Sequence, residues 1–407
     1  MSPILIPAEG TSREQKQSIQ MSNGTRLSPH LDARFGNTTQ EVLLINLAFG
    51  TRILAQEDSW DKLVALQKGE TDLTDKWLER ANRARLVLTG EEEWPDFIHR
   101  LDLSMREYIA GHTGESLGEA GSRDELLERL ARTEELYREH SMPHPYQGPA
   151  EHVGPLMTKP VRLVDFIFDH CRAFLEHDLE DKTEDLDVNL VKLFFDRPAL
   201  KLRYEQQFCI PRTTQLRARR IIDALEPGSR VLVLGDDDLV GLALAEMTDK
   251  LQVDILELDA DLVAFLKEKS NGRFTILEHN LRHGVPDSMK DKYDAVTTDP
   301  PYADDGMRFF LECAKTSLKK NEKSRLFLST FPGLLESPEK FWSDLDDLGL
   351  NILKQQNHFS RYVYNNMYRV QHLAAFRHLG SPINPTTDLI GFPFLYAHFF
   401  ECGLKLD

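Results

Sequence analysis

The chain has 407 residues, a formal charge of −17 and four cysteines. That length suits two or three domains with a well-buried core, and the acidic balance argues against broad nucleic-acid binding, which needs a basic surface. The cysteines are far apart and form no CxxC pair, so neither a structural zinc site nor a disulfide framework is suggested.

No apolar run approaches the ~18 residues of a membrane span, and residues 1–19 lack a basic stretch followed by an apolar one. A soluble, cytoplasmic chain with reduced thiols, no metal and no membrane or nucleic-acid partner is expected.

Residues 1–38 are polar without a sustained period and read as a disordered leader. From 39 to 140 the apolar spacing reads as a helical domain. Val42, Leu43, Ile45, Leu47, Ala48, Ile53 and Leu54 form one broad face, continued by Trp60, Leu63 and Leu66. Ser122 and Glu125 make a capping box for a helix bearing Leu126, Leu127, Leu130 and Tyr137. Residues 141–160, crowded with Pro and Gly, read as a linker, with His144 and His152 as solvated loop residues. Residues 161–212 read as a small winged-helix-like module, helical over 164–174, with an acidic loop at 177–187. It has no Lys- or Arg-rich recognition helix of a DNA reader.

Residues 213–407 alternate strand and helix, the pattern of an α/β, Rossmann-like, doubly wound parallel sheet. A helix carrying Arg217, Arg219 and Arg220 leads in. Strands are expected at 230–234, 253–258, 274–278, 295–298 and 326–329, with a further pair at 352–358 and 367–376. Helices are expected at 239–248, 260–270, 307–318 and 339–348.

In such a sheet the ligand sits beyond the carboxyl ends of the strands, and acidic residues collect there. The first strand ends at Gly235, Asp236, Asp237 and Asp238. Nucleotide-binding turns usually carry more glycine at this place; three carboxylates instead attract positive charge and repel a ligand carboxylate. The second strand ends at Asp259, 24 positions past Gly235, near the spacing of a ribose contact. The third ends at His279-Asn280, where an amide can read an adenine edge. The fourth ends at Asp299-Pro300-Pro301-Tyr302, whose prolines stiffen the backbone and fix both the carboxylate and the ring. Asp238 and Asp261 read equally well as helix N-caps, and His279 as a hydrogen-bonded structural histidine rather than a proton shuttle.

The segments YEQQFCIPRTTQLRARRII (204–222), VLVLGDDDLVGLALA (231–245), ILELDADLVAFL (255–266), ILEHNLRHGVP (276–286) and AVTTDPP (295–301) resemble the branched-chain polyamine synthases, also called N(4)-bis(aminopropyl)spermidine synthases. The resemblance runs over roughly 161–376, and YVYNNMYRVQ (362–371) is similar to that family's aromatic C-terminal segment. It implies a methyltransferase-type fold behind a winged-helix-like domain, a homodimer, and polyamine and nucleoside-sulfonium substrates. The implied co-substrate is decarboxylated S-adenosylmethionine, with no tightly bound cofactor. An aminopropyl group moves to spermidine and methylthioadenosine leaves. Three departures stand out: about 150 additional leading residues, Asn280 where an acidic residue is usual, and Tyr302 where archaeal members carry Glu.

On this reading Asp299 orients and deprotonates the attacking nitrogen, with Asp237 as second choice. Gly235, Asp236, Asp237, Asp238, Asp259, Asn280, Pro300, Pro301 and Tyr302 surround donor and acceptor, and Tyr368, near Tyr364 and Arg369, closes over them. The competing readings are an S-adenosylmethionine-dependent N-methyltransferase acting on an amino group, and a noncatalytic scaffold.

Overall fold

The computed structural model describes residues 25–28, 31–35, 41–46, 51–56, 58–67, 75–89, 94, 96–141, 160–177, 186–335, 337–363 and 394–405. Strands occupy ground read above as leader and helix: β1 (Thr25–Leu27), β2 (Leu31–Phe35), β3 (Glu41–Asn46) and β4 (Thr51–Gln56). The leader reading missed the alternation of Leu31, Ala33 and Phe35 with Asp32 and Arg34, a period of two. The helical reading of 42–54 is likewise corrected. β3 and β4 pair antiparallel from Glu41↔Gln56 to Asn46↔Thr51, and β2 adds to β3. Two six-residue strands satisfy their backbone groups by pairing with each other, whereas an isolated helix that short is poorly nucleated.

Helices α1 (Asp58–Gln67) and α2 (Asp75–Arg83) follow, then β5 (Val87–Thr89), which pairs with β1. Trp60, Leu63, Trp77 and Leu44 share a small core with Val188 and Val191 of a helix more than a hundred residues later. The helical expectation holds over α3 (Asp96–Thr113) and α4 (Arg123–His140), where Ser122 caps α4 by accepting from Glu125 N at 3.2 Å. Between 160 and 212 the elements are α5 (Pro160–His177), α6 (Val188–Asp196), a 3₁₀ turn (Leu202–Tyr204) and the start of α7 (Pro211–Ala224). Among the described residues of that span there is no strand to serve as a wing. The linker 142–159 and the loop 178–185 lie outside the described residues.

The strand–helix alternation expected from 230 to 348 is met closely. Strands β6 (Arg230–Leu234), β7 (Gln252–Glu257), β8 (Thr275–Glu278), β9 (Ala295–Thr298) and β10 (Arg325–Thr330) run parallel. Strands β11 (Leu350–Val363) and β12 (Phe394–Leu404) extend the sheet antiparallel, in the order β11-β12-β10-β9-β6-β7-β8. The expected strand at 367–376 lies outside the described residues. Helices α8 (Val240–Met247), α9 (Ala260–Ser270), α10 (Asp304–Ser317) and α11 (Pro338–Asp347) connect them.

Side chains of β6 alternate between two cores. Val231 and Val233 join Ile255, Phe327 and Phe399 on one face, together with Phe97, Leu130 and Phe168 from α3, α4 and α5. Leu232 and Leu234 join Val296, Leu311 and Leu345 on the other. Burial on both faces is why these strands read as continuous apolar runs. The chain leaves β6 towards β7 on one side and returns to β9 on the other. That reversal opens a crevice at the carboxyl ends of β6 and β9. Among the described residues no helix is long and apolar enough to cross a membrane.

Candidate active site

Gly235 leaves β6 with φ of 70°, the left-handed backbone that glycine adopts without strain, and starts the turn into α8. The three carboxylates that follow have different surroundings. Asp236 is 1% exposed and turned inward. Its two oxygens accept Gly241 N at 3.1 and 3.2 Å, and its own N–H donates to Glu257 Oε2 at 2.8 Å. It thus serves the first turn of α8, whose formal N-cap Leu239 sits at φ 57° with no side-chain cap. Burial drives its carboxyl well above the usual range, against the pull of the Gly241 N–H.

Asp238 is also buried. Oδ1 accepts Cys209 N at 2.8 Å, Oδ2 accepts Arg217 NH1 at 2.7 Å, and its carbonyl accepts the Thr214 hydroxyl at 2.6 Å. Only Asp237 keeps its carboxylate unengaged among the described residues; Arg197 holds its backbone carbonyl at 2.6 Å. Burial, then Asp238, Asp299 and Glu257, raise Asp237 well above the ordinary carboxylate range. The turn is therefore two structural aspartates flanking one open one.

Asp299 ends β9 and faces this turn. Its Oδ2 accepts Arg217 NH2 at 3.1 Å and the Tyr362 hydroxyl, while Oδ1 has no partner among the described residues. Burial pushes its carboxyl up to about 7, with Arg217 pulling the other way. Arg217 is the hub behind both carboxylates. It is 2% exposed and bonds Asp238, Asp299, Tyr362, Ser329 Oγ at 2.6 Å and Ser360 Oγ at 3.1 Å. Tyr362 OH lies 2.9 Å from Ser329 Oγ, and Ser329 Oγ donates to Ser360 Oγ at 2.9 Å.

Pro300 is buried and Pro301 half-buried against the start of α10, where a Cβ on Gly306 would lie 3.0 Å from Pro301 Cβ. The Tyr302 ring packs between the two cores and its hydroxyl accepts Phe331 N at 3.2 Å. Asp259 is the N-cap of α9, accepting Asp261 N at 3.0 Å, and pairs with Lys201. Burial works against its charge, yet Lys201 and the helix N–H hold it below the usual range. Capping thus falls to Asp236 and Asp259 rather than to Asp238 and Asp261. Glu257 ties the two crossovers together by accepting N–H groups from Asp236, Leu258 and Asp259 at 2.7–2.8 Å.

Asn280 accepts Arg282 N at 3.0 Å in a 3₁₀ turn. His279 Nε2 donates to Gly284 O at 2.7 Å, the structural role. Tyr364, Tyr368 and Arg369 lie outside the described residues. The structure thus brings Asp237, Asp238 and Asp299 together, with Asp259 and Asn280 on the neighbouring strand ends. Sequence reasoning missed Arg217 as the shared counter-ion of Asp238 and Asp299, gave Tyr362 only as the first residue of the family-like segment 362–371, and missed Ser329 and Ser360. The signal for Arg217 was its place on α7, whose buried face also carries Thr213, Thr214 and Ala218.

With this geometry in place, comparison with known proteins adds what the chain resembles. Residues 185–386 match the family model described as branched-chain polyamine synthase A C-terminal domain. Over that stretch the chain is similar to the branched-chain polyamine synthases. An N(4)-bis(aminopropyl)spermidine synthase of Thermococcus kodakarensis is 26% identical over 233 residues, 54% of this chain and 64% of that one. An uncharacterized protein of Methanocaldococcus jannaschii is 32% identical over 159 residues, 38% of this chain and 40% of that one. The chain therefore spans less than two thirds of either relative's length. Among solved structures, the branched-chain polyamine synthase from Thermus thermophilus, crystallised with N4-aminopropylspermidine and 5'-methylthioadenosine, is similar at 19% identity and a TM-score of 0.43. That match covers 76% of this chain and 95% of that one.

Proposed function

We propose that the chain transfers an aminopropyl group from decarboxylated S-adenosylmethionine to an amine of a polyamine such as spermidine, giving longer, branched polyamines and methylthioadenosine. The observation that carries this reading is Asp237, a carboxylate without a hydrogen-bond partner among the described residues, at the crossover turn and set against Asp299. Two carboxylates that raise one another's proton affinity are relieved by a cation placed between them. A sulfonium donor that has lost its carboxylate and a protonated polyamine are such cations. An intact methionine carboxylate at this turn would add a third negative charge.

The reaction needs no covalent enzyme intermediate. The amine lone pair attacks the methylene next to the sulfonium. A C–N bond forms, the C–S bond breaks, and its electron pair neutralises sulfur as methylthioadenosine leaves. The nitrogen's proton passes to a carboxylate, Asp299 first and Asp237 second. Proton affinity near neutrality suits that role, because such a base is free at physiological pH and still holds the proton. Positioning of two cations supplies the remainder of the acceleration. Asp259 and Asn280 stand at the strand ends where the nucleoside half of the donor belongs.

Mass spectrometry of products from the decarboxylated donor with di-, tri- and tetra-amines tests the proposal. Methylthioadenosine and polyamines heavier by whole aminopropyl units support it. S-adenosylhomocysteine and a methylated amine from the intact donor would replace it with the methyltransferase reading.

A further inference from the structure

The fold brings together four segments behind Asp299 that are far apart in sequence. α7 supplies Arg217, the β6 turn Asp238, β10 Ser329, and β11 both Ser360 and Tyr362. Among the described residues these side chains bond chiefly to one another, with Cys209 N on Asp238 Oδ1 besides, and the cluster has one asymmetry. Among the described residues, both side-chain contacts to Asp299 fall on Oδ2, one from the arginine and one from the phenol. Arg217 divides its charge between Asp238 and Asp299. Tyr362 donates to Asp299 alone and accepts from Arg217. A phenol 5% exposed and hydrogen-bonded in this way has one orientation available.

We propose that Tyr362 is the positioning residue of the transfer site: its hydroxyl fixes Asp299 through one carboxylate oxygen and leaves the other for the proton of the attacking amine. The inference rests on the transfer reading above. Donation of O–H to a carboxylate favours its charged form, so Tyr362 opposes the burial that raises Asp299. The base is thereby kept available near neutral pH, in a place where desolvation alone would keep it protonated. A β-strand tyrosine held between a serine and an arginine also limits how far the carboxylate rotates.

Tyr362→Phe keeps the ring and its packing and removes only the hydroxyl. Titration of the Asp299 carboxyl carbon by ¹³C NMR, assigned by difference against Asp299→Asn, reads the effect without any substrate. The wild-type midpoint is expected near 7, and Tyr362→Phe is expected to raise it by about one to two pH units. The acid limb of the transfer rate should move with it, giving a loss of about 5- to 50-fold at pH 7 that recovers towards pH 9. Ser329→Ala removes another partner of the phenol but leaves the phenol–carboxylate bond, so the midpoint should stay near the wild-type value. An unmoved midpoint in Tyr362→Phe overturns the inference, as does a rate loss equal at every pH or an equal shift in Ser329→Ala. A wild-type protein that titrates as expected yet releases no methylthioadenosine overturns the transfer reading and leaves the Tyr362 contact to be judged by the NMR midpoint alone.

Discussion

Asp299→Asn should flatten the pH dependence of stability. Asp299 is 16% exposed and its carboxyl is pushed up to about 7 from the usual 3.8. An aspartate raised on folding releases its proton from the unfolded chain first, so stability is greatest below about 4 and falls as pH climbs to about 7. The difference of about three pH units, at about 1.4 kcal/mol each, gives about 4 kcal/mol over the full range. Between pH 5 and 8 the share is about 2–3 kcal/mol. Asparagine cannot ionise, and Arg217 keeps Asp238 as partner, so no buried charge is orphaned. Urea unfolding of both proteins at pH 5, 6, 7 and 8 measures the difference. The variant should gain on the wild type as pH rises, and more so because Asp237 is relieved of a like charge. Parallel stability curves would mean that Asp299 titrates as an ordinary surface aspartate and would refute the electrostatic picture.

Asp299→Asn should also reduce transfer by about 10²- to 10⁴-fold, the usual range for loss of a proton-accepting group, while leaving the fold intact; steady-state kinetics with a thermal melt checks both. Gly241→Ala should cost about 1–3 kcal/mol in urea unfolding, because the new Cβ would lie 2.7 Å from Ile255 Cδ1 and 2.8 Å from Asp236 Oδ2. Arg217→Met should cost about 3–5 kcal/mol near neutral pH, since it strands the buried carboxylate of Asp238 and removes the cation beside Asp299; the loss should shrink on acidification.

The parallel sheet was legible because strands buried on both faces, glycine turns and helix starts repeat in a fixed order from Arg230 to Asp347. Residues 41–56 were not, because a short run such as Val42–Ile45 fits a helix face as well as a strand. At the site, sequence located the strand-end carboxylates but could not assign their work. Asp236, Asp237 and Asp238 are consecutive and chemically identical, and only the fold decides which faces a helix N-terminus, which faces an arginine and which stays open. Arg217 and Tyr362 meet from 145 positions apart, a pairing that no local pattern encodes.

The most direct test of an open Asp237 carboxylate as the selector of the donor is calorimetric binding of the decarboxylated and the intact nucleoside sulfonium to the same protein. The decarboxylated form should bind at least about tenfold tighter, roughly 1.4 kcal/mol, and Asp237→Asn should narrow that gap. Equal or tighter binding of the intact form would contradict the account.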